Sequence, residues 1–182
     1  MIKHTIATSI RYGNYKHMAH NSKRWQKAIE RNWALICKTI GVDDSLDITI
    51  NWRPIKGAVK GTYCSANNVI NMDSRKFDNT IDMIDTLGHE LTHFKQYTEG
   101  TLDQEWNDKV SRWMCVWKGR YYKPATTYNS YYTRPWEQEA RKGGSMALAA
   151  YSRKIRTIRV NQKRALFSQK VPVFAQKPAE EV

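Results

Sequence analysis

Hydrophobic positions recur at helical spacing in three stretches of the chain. From about Tyr15 to Ile40, Trp25, Ile29, Trp33, Ile36 and Ile40 share a face, Lys23, Arg24, Lys27, Glu30 and Arg31 fall elsewhere, and Gly41 follows. This predicts a single amphipathic helix over 15–40 that ends at the glycine. In the second stretch Ile81, Ile84, Leu87 and Leu91 step by threes and fours behind the N-cap candidates Asp78, Asn79 and Thr80. That helix is predicted to run to Tyr97, with Gly100 suited to a left-handed C-terminal position. The third opens at Pro135, where Arg134-Pro135 marks a boundary, and carries Ala140, Gly143, Gly144, Ala147 and Tyr151. Side chains that small let a helix come close to a neighbour.

The segments between have a different period. Leu46 to Trp52 alternates apolar and polar, as a half-buried strand does. Lys56 to Cys64 is extended and punctuated by glycine, Asn67-Asn68 reads as a turn, and Val69 to Asp73 as another short strand. Three short strands ahead of the second helix predict an α+β fold, a small mixed or antiparallel sheet with helices packed on it. Over 106–117 periodicity does not separate helix from strand, and Trp117-Lys118-Gly119-Arg120-Tyr121-Tyr122 reads as a turn into a strand. The many aromatics of 101–135 are expected to pack around a site; stacking on nucleic-acid bases is their other use. From Ser152 the chain turns basic and less periodic. The expected division is a domain over 1–151 and a basic extension over 152–182, partly disordered or held by a partner.

A length of 182 residues suits one domain with a real core. Cys37, Cys64 and Cys115 are odd in number and lack C-x-x-C spacing, so they read as buried thiols of a reducing compartment. The net charge of +13 is uneven: Lys and Arg against Asp and Glu number 11 to 4 over 1–60, 7 to 9 over 61–120, and 12 to 4 over 121–182. Basic ends around a mildly acidic middle suggest an anionic partner, nucleic acid, an acidic protein surface or a membrane face, although solvated charge gives the same pattern. No segment approaches the roughly 18 consecutive apolar residues of a membrane span. Met1 to Tyr15 lacks the apolar core and cleavage site of a secretory signal.

The second helix contains Gly88-His89-Glu90-Leu91-Thr92-His93, an H-E-x-x-H motif. Residues four apart on a helix lie roughly 40° apart around its axis, so His89 and His93 can present two imidazoles to one metal ion. Glu90, one step round, can reach a water on that ion as general base, as in a zinc hydrolase. Two surface histidines are the alternative, and the capped amphipathic context speaks against it. A catalytic zinc ordinarily takes three protein ligands. The other histidines are His4, His17 and His20; none follows His93, and His17 and His20 read as ordinary surface or cap residues. A carboxylate is therefore needed, from Glu137 or Glu139 at the start of the third helix. Glu137 shares a face with Ala140, Gly144 and Ala147 and is favoured, with Glu139 the alternative. An oxyanion donor is also required, and Tyr128, Tyr131 and Tyr132 are all in reach along the chain.

Three elements in this order, His89-Glu90-Leu91-Thr92-His93-Phe94-Lys95-Gln96-Tyr97, Trp117-Lys118-Gly119 and Pro135-Trp136-Glu137-Gln138-Glu139-Ala140, resemble the small metallopeptidases of bacteriophage genomes. More distantly they resemble the gluzincin class of zincins, over about residues 46–150. The resemblance implies a zincin-like fold, zinc-dependent hydrolysis of peptide bonds, and a sheet edge near Gly61–Met72 that pairs with extended substrate. It also implies a glutamate ligand at Glu137 and, four positions on, an aspartate that holds a ligand histidine. Arg141 stands at that position and cannot accept the bond, so the partner must come from elsewhere. A phage chain without a signal segment is expected in the host cytoplasm or the virion. A virion or nucleic-acid-associated structural protein built on the same scaffold is the competing expectation.

Overall fold

The computed structural model describes residues 16–170, with side chains over 22–166. The side chains of His4, His17 and His20 lie outside these. The chain divides into two compact units, Met1–Tyr151 and Ser152–Val182.

The first hydrophobic stripe forms two helices, α1 (Lys16–Glu30) and α2 (Trp33–Ile40), instead of one. Asn32 causes the break. Its side-chain amide donates to the Ala28 carbonyl at 2.7 Å, the acceptor its own backbone N–H would use in a continuous helix, and that N–H turns to Ile29 instead. Trp25, Ile29, Trp33, Ile36 and Ile40 are all buried on both sides of the bend.

Strands β1 (Thr49–Trp52), β2 (Gly61–Cys64) and β3 (Val69–Met72) form a mixed sheet in the order β1-β3-β2, with β1 parallel and β2 antiparallel to β3. Ile50, Trp52, Ile70 and Met72 point to one face and join the core made by α1, α2 and the motif helix. That helix, α3 (Thr80–Thr98), is capped by Asn79, whose side chain accepts the Asp82 N–H, and Gly100 beyond it has φ +65°. Its buried face is Met83, Ile84, Leu87, Gly88, Leu91 and Phe94; Ile81, read as part of the stripe, is exposed.

Residues 102–122 are strands: β4 (Leu102–Asn107), β5 (Arg112–Trp117) and β6 (Arg120–Tyr122), an antiparallel meander. Lys118 and Gly119 both have positive φ, as a two-residue hairpin turn of the primed type demands. Leu102 and Trp117 pack on Trp136 in a second small core. A short helix, α4 (Tyr128–Tyr132), follows, started by a reciprocal Thr127–Ser130 cap. It buries no residue, so hydrophobic periodicity could not reveal it.

Helix α5 (Pro135–Lys170) opens where expected but runs well past Tyr151. Residues 152–170 contain no Gly or Pro and are rich in Arg and Lys, which favour helix without any buried stripe. Within the first unit α5 crosses α3 closely. A methyl group on Gly88 would lie 2.7 Å from Ala147 Cβ and 3.1 Å from Gly144 Cα, and one on Gly144 would lie 2.7 Å from the Asp85 carbonyl. The small-residue face of α5 therefore lies on the motif helix, as its spacing predicts, and this crossing delivers the start of α5 to the histidines.

Candidate metal centre

His89 and His93 project from successive turns of α3, and the α3–α5 crossing brings Glu137 against them. Glu137 Oε2 lies 3.5 Å from His89 Nε2, Glu137 Oε1 lies 3.3 Å from His93 Nε2, and the two Nε2 atoms are 3.1 Å apart. Donors about 2.05 Å from a common tetrahedral centre are about 3.3 Å from one another. Two imidazoles and one carboxylate at these separations fit a divalent metal ion of zinc's size. Among the described residues His89, His93 and Glu137 are the group of three able to hold a metal.

The histidine at the second position is held from behind by a residue the sequence reading missed. His93 Nδ1 donates to Gln96 Oε1 at 2.8 Å, which turns the ring so that Nε2 faces Glu137. Gln96 is buried, and its own amide donates to the Trp136 carbonyl at 3.0 Å and to Glu139 Oε2 at 2.8 Å. The Gln96–Glu139 pair fills the place of the carboxylate absent at Arg141. The helical spacing of His93 and Gln96 was a signal for this bond. Glu139 stands outside the metal-ligand group, on the far side of Gln96. The Arg141 guanidinium donates to the Tyr132 carbonyl and lies over the Tyr132 ring, tying α4 to α5.

Glu90 is buried beside the histidines. Burial raises its carboxyl above the usual range, opposed by the charges of His89 and His93 and by a hydrogen bond from the Tyr63 N–H of β2. Gly61, two residues before Tyr63, has no side chain because Thr86 and Glu90 occupy the space: a Cβ there would meet Glu90 Oε1 at 3.1 Å. Burial also pushes Glu137 upward, but hydrogen bonds from His89, His93 and Tyr131 together outweigh it and hold the carboxyl well below its ordinary value. Of the three tyrosines named as donors, Tyr131 is the one whose hydroxyl bonds to Glu137 and lies within the field of Glu90; burial and those carboxylates push its pKa up. Tyr128 is largely exposed and its ring packs on Tyr132.

All these groups open on one cleft of about 660 Å³. One wall is β2 and the loop before it, one is Gln104 and Cys115 of the second sheet, and α4 with the segment ahead of it closes a third side. The loop before β2 is fixed by Lys76, whose ammonium donates to the carbonyls of Ile55, Gly57 and Val59 at 2.6–2.7 Å. Of the three cysteines only Cys37 is buried; Cys64 and Cys115 are half-buried, contrary to the expectation for both. Strand alternation explains Cys115, which faces the cleft. No protein-family model, curated protein or solved structure matches the chain.

Proposed function

We propose that the chain is a zinc-dependent metallopeptidase of zincin-like design, with His89, His93 and Glu137 as metal ligands and Glu90 as general base. The observation that carries this reading is convergence. A carboxylate from α5 lies within 3.5 Å of both motif histidines, next to a buried glutamate and at the floor of an open cleft. A zinc ion in that donor set supplies Lewis-acid activation of a water and of a carbonyl. Zinc binding alone does not require Glu90, whereas hydrolysis requires a base. Glu90, buried beside both histidines, is placed to take a proton at a carboxylate oxygen and pass it to the leaving nitrogen. Among the three tyrosines that line the cleft, we assign Tyr131, whose hydroxyl interacts with Glu137, as the oxyanion donor. Strand β2 pairs on one side with β3, and its other edge can add an extended peptide as a further strand. Kinship with the small phage metallopeptidases, and work in a host cytoplasm or virion, belong to the same proposal.

Purified protein should carry one zinc per chain and cleave members of a mixed peptide library. Glu90→Gln should keep the metal and lose hydrolysis by about 10²–10⁴-fold. Metal analysis and cleavage assays decide it. Folded, zinc-free and fully active protein would overturn the reading, as would full activity of Glu90→Gln.

A second role is favoured by the second unit. Of Arg153, Lys154, Arg156, Arg159, Lys163 and Arg164, all but Lys154 fall within about 140° of the helix circumference. A basic helix face of this kind suits an anionic partner such as nucleic acid, the chemistry of the virion or nucleic-acid-associated reading.

A further inference from the structure

The β4–β5 hairpin carries two tryptophans that the metal centre does not use. Trp106 and Trp113 are direct cross-strand partners, their rings stand edge to face at 6.0 Å, and they leave 50% and 62% of their surface exposed. Side chains alternate along a strand, so residues two positions inward share their face of the sheet. Those residues are Gln104 and Cys115, which line the cleft, followed by Leu102 and Trp117, which pack on Trp136. Glu105 and Tyr121, bonded to each other at 2.6 Å, occupy the opposite face. The tryptophan pair thus extends the cleft wall outward by one pleat repeat, about 6.6 Å.

The direction of the wall matches the open edge of β2. Gly61 abuts Glu90, while Tyr63 packs on Phe94 and Tyr97. Tyr97 and Gln104 line the same cleft beyond it. An extended chain that follows β2 from Gly61 toward Cys64 therefore leaves the metal centre toward Gln104 and the tryptophans. We propose that Trp106 and Trp113 form a remote subsite that grips an aromatic or apolar side chain of an extended polypeptide substrate, several residues from the bond cleaved. The occupant rests on the peptidase reading. Charge argues against nucleic acid there: residues 102–117 hold three acids, Asp103, Glu105 and Asp108, against two bases, Lys109 and Arg112. Two half-exposed indoles are also far short of the roughly 800 Å² per partner of a stable dimer.

The test uses the full zinc-loaded chain and fluorescein-labelled peptides of about ten residues, long enough to span the cleft and hairpin at about 3.3 Å per residue. One set bears a Trp or Phe at varied distance from the label and its match bears Ser there. Binding is measured on Glu90→Gln by anisotropy, and cleavage on the otherwise unaltered chain. Trp106→Ala with Trp113→Ala should weaken binding of the aromatic set by about tenfold and raise its KM without lowering kcat, and should leave the Ser set unmoved. Trp106→Phe with Trp113→Phe should restore most of the loss, and Tyr121→Phe, on the opposite face, should match the parent chain. Equal binding by the alanine variant, or equal losses for both peptide sets, would overturn the subsite. So would loss of a dimer in sizing with light scattering, or loss of single-stranded DNA binding in place of peptide binding. If the parent chain cleaves no peptide the peptidase reading fails, and the binding arm still judges the tryptophan face by itself.

Discussion

Glu137 and Glu139 stand two positions apart on α5 and take different roles. Glu137 is buried and faces both histidines; Glu139 is exposed and holds the amide of Gln96. Glu137→Ala should therefore weaken zinc binding far more than Glu139→Ala, which acts only through Gln96 and His93. Gln96→Leu, which removes the acceptor for His93 Nδ1, should cost about 10–100-fold in zinc affinity. Competition against a chromophoric chelator measures all three. If Glu139→Ala releases zinc while Glu137→Ala retains it, the ligand assignment is wrong. The residues of the metal group were legible because helix geometry converts sequence spacing into direction: four residues for the histidines, a shared face with Ala140 and Gly144 for Glu137. Gln96 was as close in sequence but drew no attention, because an amide has many uses and only the location of Glu139 and the Trp136 carbonyl gives it this one. Tyr131 could not be separated from Tyr128 and Tyr132 without the turn of α4 that aims it inward.

At the scale of elements, the α3–α5 crossing sets the site. Alanine for glycine inside a helix ordinarily stabilises by about 1 kcal/mol. At Gly88 the added methyl would meet Ala147 Cβ, Gly144 Cα and the Gly143 carbonyl within 3.2 Å, mostly backbone that cannot turn aside. Overpacking costs of about 1–3 kcal/mol exceed the propensity gain, so Gly88→Ala should lower the midpoint of chemical denaturation. It should also weaken zinc binding, since separating the helices moves Glu137 from the histidines; an unchanged midpoint and affinity would show that the crossing has slack. The loop wall depends on Asp73, which is fully buried and accepts from the Ile55 N–H and the Arg75 guanidinium. Burial pushes its carboxyl up, but these bonds and the Arg75 charge prevail and hold it at about 2. An unfolded aspartate titrates near 3.9. The folded value is the lower one, so the stabilisation, about 2–3 kcal/mol, is complete above about pH 5 and is lost as pH falls through the folded value. Denaturation of the parent chain and Asp73→Asn should differ most near pH 6 and converge toward pH 2; a gap independent of pH would refute the assignment. The main helices and the first sheet were readable because each has one buried face. The split at Asn32 depends on a side-chain bond to a backbone carbonyl, and the second sheet on a meander whose strands are largely exposed, features that hydrophobic period does not encode.

For the molecule as a whole, the metal group and the basic run fall in different units. The metal group lies in the unit Met1–Tyr151, whereas the six basic residues from Arg153 to Arg164 lie in Ser152–Val182. If the basic helix face contacts nucleic acid, each phosphate neutralised releases counterions, and the logarithm of affinity falls with the logarithm of salt by about 0.9 per contact on duplex. Replacing Arg153, Arg156 and Arg159 by Gln in the full chain should then flatten that slope by up to about 2.7 and weaken binding across unrelated sequences alike. Zinc content and peptide cleavage should not change, because none of the three belongs to the ligand, base or cleft residues. Filter binding or anisotropy with single-stranded and duplex DNA over a salt series measures the slope. An identical slope in the variant would return these residues to the role of solubility charge. A variant that loses peptide cleavage while its zinc content and fold persist would mean that the second unit takes part in substrate binding, and the division of labour by charge would fail.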